Sequence, residues 1–273
     1  MADDRPIGVF DSGVGGLTVV EALRRRVPHE SILYLGDTAR LPYGTKSAET
    51  VARYSARNID FLLARGVKAV VVACNTASAL ALENVTERAP VWGVIGPGAR
   101  AAVRAARSGA IGVLATESTV LSDAYGRAIR RIEPRAEILN QPCPLFVPLV
   151  EEGWHDDEIA EAVARRYVEP LLEKGASTLI LGCTHYPRLV PLLEGLVGRG
   201  VALVDPAETV AVEVAQRLEE RGLLRTAGAA PRHHLCVTDL AERFRRIAAD
   251  LLQQPEGWGE REGEITLEWV EVA

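Results

Sequence analysis

Lysine is nearly missing from this chain of 273 residues: it occurs only at Lys46, Lys68 and Lys174. Lys68 and Lys174 stand at what reads as the solvent-side start of strands, and Lys46 stands in a polar loop. None is placed as the anchor of pyridoxal phosphate, so the sequence argues against that cofactor. A positive surplus is missing too. The net charge is −6 and no dense Lys/Arg stripe occurs, so nothing suggests nucleic acid. Arginines such as Arg24 to Arg26 read as a solvated helix face. No apolar run approaches the roughly 20 residues of a membrane span, and no basic segment leads into an apolar one as in a secretory signal. The expectation is a cytoplasmic protein with reduced thiols. Its four cysteines, Cys74, Cys143, Cys183 and Cys236, lack CxxC spacing, which removes zinc-ribbon and thioredoxin-type readings.

What is present is ordinary in bulk, with 48% apolar and 25% charged residues, and long enough for one large or two modest domains. Short apolar runs at 7–10, 32–35, 69–73, 91–94, 111–115, 138–140, 178–181 and 201–204 alternate with amphipathic helical stretches such as 48–64, 76–88 and 156–173. The run Val70-Val71-Val72 is apolar at every position, as in a strand covered on both faces. The alternation predicts an α/β fold with mostly parallel sheets.

The chain also repeats itself. Residues 65–76, RGVKAVVVACNT, align without gaps on residues 174–185, KGASTLILGCTH. Each reads as a helix-ending glycine, an apolar strand, a cysteine, then polar residues opening a helix. Upstream, residues 7–12 align on 111–116. The repeat suggests two similar halves related by pseudo-symmetry. Asp205-Pro206-Ala207-Glu208 reads as a helix start. The tail carries a helix at 240–252, a loop with Gly257 and Gly259, and a strand at 264–270. It has no counterpart in the middle of the chain, so it is expected to return to the first half. The domains are then 1–96 plus 206–273, and 97–205.

Ligands of parallel α/β sheets bind beyond the carboxyl ends of the strands. Here those ends carry Asp11-Ser12-Gly13-Val14-Gly15-Gly16, Gly36-Asp37-Thr38-Ala39-Arg40, Cys74-Asn75-Thr76 and Cys183-Thr184-His185. The glycine loop suits backbone contact with an anion, but it lacks the GxGxxG pattern and also fits a plain loop. A thiol at a helix N-terminus is expected to ionise below its free value of about 8.5. One buried cysteine is as well explained by packing, and Cys143 and Cys236 fit that description. Two at equivalent strand ends are better explained by function. Facing each other across a cleft, such thiols can take a proton from one face of a carbon and return one to the other. A Cys-His-Asp hydrolase leaves the second cysteine without a role, and a Cys/Cys/His metal site lacks a defined fourth ligand.

The motifs DSGVGGLTV (11–19), GDTARLPYG (36–44), ACNTASA (73–79), GVIGPGA (93–99), PLFVPLVEEG (144–153) and GCTHYP (182–187) span essentially the whole chain. Together they resemble the glutamate racemases of the cofactor-independent aspartate/glutamate racemase superfamily. The resemblance implies two α/β domains of similar topology with the active site between them, no cofactor and no metal, and D-glutamate made for peptidoglycan. It implies Cys74 and Cys183 as the catalytic thiols, Cys74 acting on D-glutamate and Cys183 on L-glutamate, with Asp11 assisting the first and His185 the second. The implied substrate contacts are Asp11, Ser12, Tyr43, Gly44, Asn75, Thr76, Thr116, Thr119, Thr184 and His185. A site carboxylate falls on Glu151 or Glu152, with Glu151 favoured, although both also fit a solvated helix start. A homodimer is expected on the same ground. Ala115 and Arg188 depart from the usual pattern, which has Gly and an apolar residue there. A racemase for aspartate or a hydantoin, and a non-catalytic dicarboxylate-binding protein, stay open as alternatives.

Overall fold

The computed structural model describes residues 3–82, 89–106, 109–225, 229–239, 241–251 and 265–272. Within them lie ten strands: β1 (Ile7–Asp11), β2 (Ile32–Gly36), β3 (Ala69–Val72), β4 (Val91–Gly93), β5 (Ala110–Ala115), β6 (Ile138–Pro142), β7 (Ala176–Gly182), β8 (Ala202–Val204), β9 (His233–Val237) and β10 (Ile265–Trp269). They form a six-stranded sheet in the order β10-β9-β2-β1-β3-β4 and a four-stranded sheet in the order β6-β5-β7-β8. Every pairing is parallel. Helices cover both faces of the larger sheet, so β1, β2 and β3 are buried at every residue and their apolar runs are unbroken. Among the described residues no helix is long and apolar enough to cross a membrane.

The repeat is structural. β2-β1-β3-β4 and β6-β5-β7-β8 share one strand order. The register agrees as well: Gly8 lies beside Val70, and their sequence equivalents Gly112 and Leu179 lie beside each other. Gly66 and Gly175, the glycines that open the repeated segment, have φ of +78° and +80°, where a side chain is strained. Each lets its helix end one turn before a strand. The two cysteines therefore occupy equivalent places, one beyond β3 and one beyond β7.

Local signals explain most helix bounds. Ser47 accepts from Thr50 N–H at 3.3 Å and starts the helix Ala48–Ala64. Asp157 caps Glu158–Glu173, which begins two residues later than the amphipathic pattern. Asp205 caps Pro206–Glu220 through Ala207 N–H at 2.8 Å, and Gly222 follows with φ of +64°. That helix shares a core with β1, β2 and the helix Leu17–Arg26 through Val210, Val214 and Leu218. The expected helix 76–88 is instead the short Asn75–Leu80, and residues 83–88 lie outside the described residues. The tail helix is Ala241–Leu251 and its strand Ile265–Trp269, while the loop with Gly257 and Gly259 lies outside the described residues. β9 had no clear periodic signal, because two histidines open it.

Lys68 contradicts its expected solvent position. It is 2% exposed; its ammonium lies 2.6 Å from Glu30 and donates to the carbonyls of Asp3 and Leu223, each at 2.8 Å. Glu30 in turn accepts from Arg225 N–H at 2.7 Å. The pair thus ties the start of β3 to the chain before β1 and to the segment after Pro206–Glu220. Lys68→Met should lower unfolding free energy in urea by about 3–5 kcal/mol, because Glu30 is left buried without a counter-charge. Adding Glu30→Gln should recover part of that loss, and a single-variant cost under about 1 kcal/mol would rule out the pair as a tie.

Candidate active site

The carboxyl ends of β1, β3, β5 and β7 deliver Asp11, Cys74, Thr116 and Cys183 to one region. Cys74 is the N-cap of Asn75–Leu80: its sulfur accepts from Ala77 N–H at 3.5 Å, and its thiol donates to Ser12 Oγ at 3.6 Å. Cys183 departs from this pattern. It leads into a 3₁₀ turn, Tyr186–Leu189, before the helix Val190–Val197, so it caps no α-helix. Its sulfur lies 3.7 Å from His185 Nδ1 instead, and His185 Nε2 lies 3.2 Å from Glu151. Of the two adjacent glutamates, Glu151 is the one that meets His185, while Glu152 is exposed.

Hydroxyls join the two sheets. Thr76 Oγ1 lies 3.0 Å from Thr116 Oγ1 and 3.3 Å from Thr119 Oγ1, and the latter two are 2.9 Å apart. Thr184 donates to Asp11 at 3.3 Å, and Asp11 also accepts from Gly13 N–H at 2.9 Å. Tyr125 donates to Asn75 Oδ1 at 2.6 Å, and Ser118 donates to the carbonyl of Gly44 at 2.8 Å. Two glycines permit the closeness. A Cβ on Gly15 would stand 2.4 Å from Thr184 Oγ1 and 2.6 Å from His185 Nδ1, and one on Gly44 would stand 2.8 Å from Thr116. The glycine loop is therefore more than a loop: it is where the first sheet receives the second.

All the expected site residues gather here, with different freedom. The Tyr43 hydroxyl is committed to Asp37 and to Asn58 Nδ2, the latter at 3.0 Å, so Tyr43 can meet a ligand only through its main chain. Asn75 offers only what Tyr125 leaves. Asp37, Asn58, Tyr34, Ser118 and Tyr125 were not expected, and they hold the site from behind. Tyr34, for example, donates to the Gly13 carbonyl. Asp37 lies within the motif at 36–44 and Ser118 between the expected Thr116 and Thr119, but Asn58, Tyr34 and Tyr125 sit in ordinary helix and strand positions and carry no local signal. Cys143 and Cys236 are fully buried in apolar clusters.

Burial decides the charge states. Cys74 is pushed up to about 12, first by desolvation and then by the Asp11 charge, against weaker help from Ala77 N–H and Ser12. The expected thiolate-favouring cap is thus outweighed, since one N–H bond restores less than water removal takes away. Asp11 is itself raised by burial, in spite of the His185 charge and the N–H groups of Gly13 and Gly16. Burial would lower His185, but its bonds to Cys183 and Glu151 prevail and raise it to about 10.

The sequence profile of the Asp/Glu/Hydantoin racemase family matches residues 17–214. The chain belongs to that family. The match takes in both cysteines, the three threonines, Glu151 and His185, and it stops before β9 and β10. Among family members, a glutamate racemase of Geobacter metallireducens is 51% identical over 245 residues, covering 89% of this chain and 91% of that protein. A glutamate racemase of Francisella tularensis, solved in complex with D-glutamate, superposes with a TM-score of 0.89 at 39% identity, over 99% of this chain and 98% of that one. One from Thermus thermophilus, in complex with β-chloro-D-alanine, gives a TM-score of 0.85 at 45% identity over the full length of both chains.

Two measurements follow from the charge states. At pH 8 a thiol at about 12 has roughly a thousandth of the thiolate of a free cysteine at about 8.5. Iodoacetamide should therefore label Cys74 slower than a free thiol by about that factor or more, and labelling at the rate of glutathione would contradict the burial argument. His185 rises from 6.5 to about 10 on folding, so the stability it contributes is fully present below about pH 6.5 and lost as pH passes through 10. The unfolding free energy of the wild type should thus fall relative to His185→Gln across that window. A constant difference would show that the imidazolium is not held by Cys183 and Glu151.

Proposed function

We propose that this chain interconverts L-glutamate and D-glutamate by two-thiol acid/base chemistry without a cofactor. The observation that carries the reading is the placement of Cys74 and Cys183 beyond equivalent strands of two matching sheets, whose ends are joined by Thr76, Thr116 and Thr119. Glutamate as substrate is supported by the identity of about half to the Geobacter metallireducens enzyme and by the D-glutamate carried by the Francisella tularensis one.

Inversion needs one thiolate and one thiol on opposite faces of the α-carbon. The two sites differ in the sense required. A protonated His185 stands 3.7 Å from the Cys183 sulfur, while burial keeps Cys74 as a thiol. In the L-to-D direction Cys183 takes the α-proton and Cys74 delivers its own to the other face; each ends in the state its partner began in. The reverse reaction starts from Cys74 acting on D-glutamate. Asp11, buried beside Cys74, serves as the local base that sets its proton, and Glu151 holds His185. The substrate's two carboxylates and ammonium are received by Ser12, Asn75, Thr76, Thr116, Thr119 and Thr184, and by the main chain of Tyr43 and Gly44. In this reading the units 1–96 with 206–273, and 97–205, form the two walls of the site. The product serves peptidoglycan, and the enzyme works as a cytoplasmic homodimer.

The test is circular dichroism with each pure enantiomer, together with proton NMR of α-hydrogen washout in deuterium oxide and no added cofactor. Cys74→Ser and Cys183→Ser should each reduce racemisation by at least about 100-fold, and their residual washout should differ between L- and D-glutamate. Full racemisation by both variants would overturn the two-thiol reading. An equal rate on L-aspartate would change the substrate assigned.

A further inference from the structure

β9 and β10 carry a side-chain cluster that the reading above leaves unused. In their parallel register Thr266 lies beside His234, and Glu268 beside Cys236. Alternate residues of a strand share a face, so these four make a two-by-two patch, on the face where Cys236 packs with Leu62 and Ile59 of Ala48–Ala64. His234 Nε2 lies 2.7 Å from a Glu268 carboxylate oxygen, and the Cys236 sulfur lies 3.9 Å from the same oxygen. One nitrogen, one sulfur and one oxygen thus fall within 4.8 Å of one another. Cys236 is buried, whereas the His234 and Glu268 side chains are each 41% exposed, so the patch has a floor and an open mouth.

We propose that His234, Cys236 and Glu268 form a binding site for a divalent transition metal ion of the zinc class. Donors held about 2.0–2.3 Å from zinc in a tetrahedron stand roughly 3–4 Å apart. The observed separations bracket that range, so small side-chain adjustments suffice. Mixed imidazole, thiolate and carboxylate donors suit zinc or cobalt, whereas calcium and magnesium call for oxygen alone. The Thr266 hydroxyl lies 2.9 Å from His234 Nδ1, the outer hydrogen bond that turns Nε2 toward an ion. On binding, the Cys236 thiol releases its proton to solvent, the sulfur bonds to the ion, and water completes the fourth position. Glu268 exchanges its pairing with Arg65, at 3.2 and 3.5 Å, for the ion. That ion pair is about 40% exposed and contributes little by itself, so it presents a weak competitor. The bound ion would tie the last strand of the larger sheet to its neighbour.

Cobalt(II) added to the full chain carrying Cys74→Ser and Cys183→Ser, which removes the other candidate thiols, provides the test. One equivalent should produce thiolate-to-cobalt charge-transfer absorption. In that background Cys236→Ser should abolish the absorption, and the surface variants His234→Ala and Glu268→Gln should weaken cobalt affinity by about 10–100-fold. Arg65→Gln should tighten it several-fold, a result that a purely structural cluster would not give. Zinc should raise the melting temperature of the wild type and not of His234→Ala. Absence of thiolate absorption under excess cobalt, or absorption unchanged by His234→Ala, would overturn the site.

Discussion

Thr184 reaches across from the end of β7 to donate a hydrogen bond to Asp11 at the end of β1. Gly15 leaves room for this approach, since a Cβ there would stand 2.4 Å from Thr184 Oγ1. Most of the site depends on this approach. It brings His185 within electrostatic reach of Asp11, and Cys183 within reach of the buried Cys74. The threonines on the other flank complete the join, with Thr76 from one sheet meeting Thr116 and Thr119 from the other. Hydroxyls suit such a join, since each both donates and accepts and none brings a charge that must be neutralised.

A symmetric scaffold here yields an asymmetric pair. The two cysteines are equivalent in strand, register and repeat, yet their neighbours differ. Cys74 caps a helix beside a buried carboxylate, whereas Cys183 sits beside an imidazole that Glu151 holds. Removal from water amplifies that difference, because every charge near a dry thiol counts for more than it would in solvent. Chemistry at a carbon with two faces needs this combination: similar positions, so that either group reaches the carbon, and opposite proton states at any moment.

Much of the fold was legible along the chain. Unbroken apolar runs marked the strands buried on both faces, Asp205 marked a helix start, and the repeated Gly-strand-Cys segment foretold that two sheets would share one order. Signals failed where tertiary contact replaced local pattern. β9 opens with two histidines and completes an existing sheet, so its strand state is set by its neighbours β2 and β10. Lys68 looked like a solvated strand start, but Glu30 and two carbonyls, remote in sequence, supply what water would have.

The candidate site divides in the same way. The sequence by itself determined which residues stand at the strand ends, because a strand of known phase delivers its last residue to a known edge. It therefore placed Asp11, Cys74 and Cys183 at the carboxyl rim of the strands. Only the tertiary structure decided what each residue can do there. The Tyr43 hydroxyl is taken by Asp37 and Asn58, Glu151 is chosen over Glu152, and burial reverses the expected ionisation of Cys74. Proton states are set by solvent exclusion and by charges from other elements, and neither is a property of the local chain.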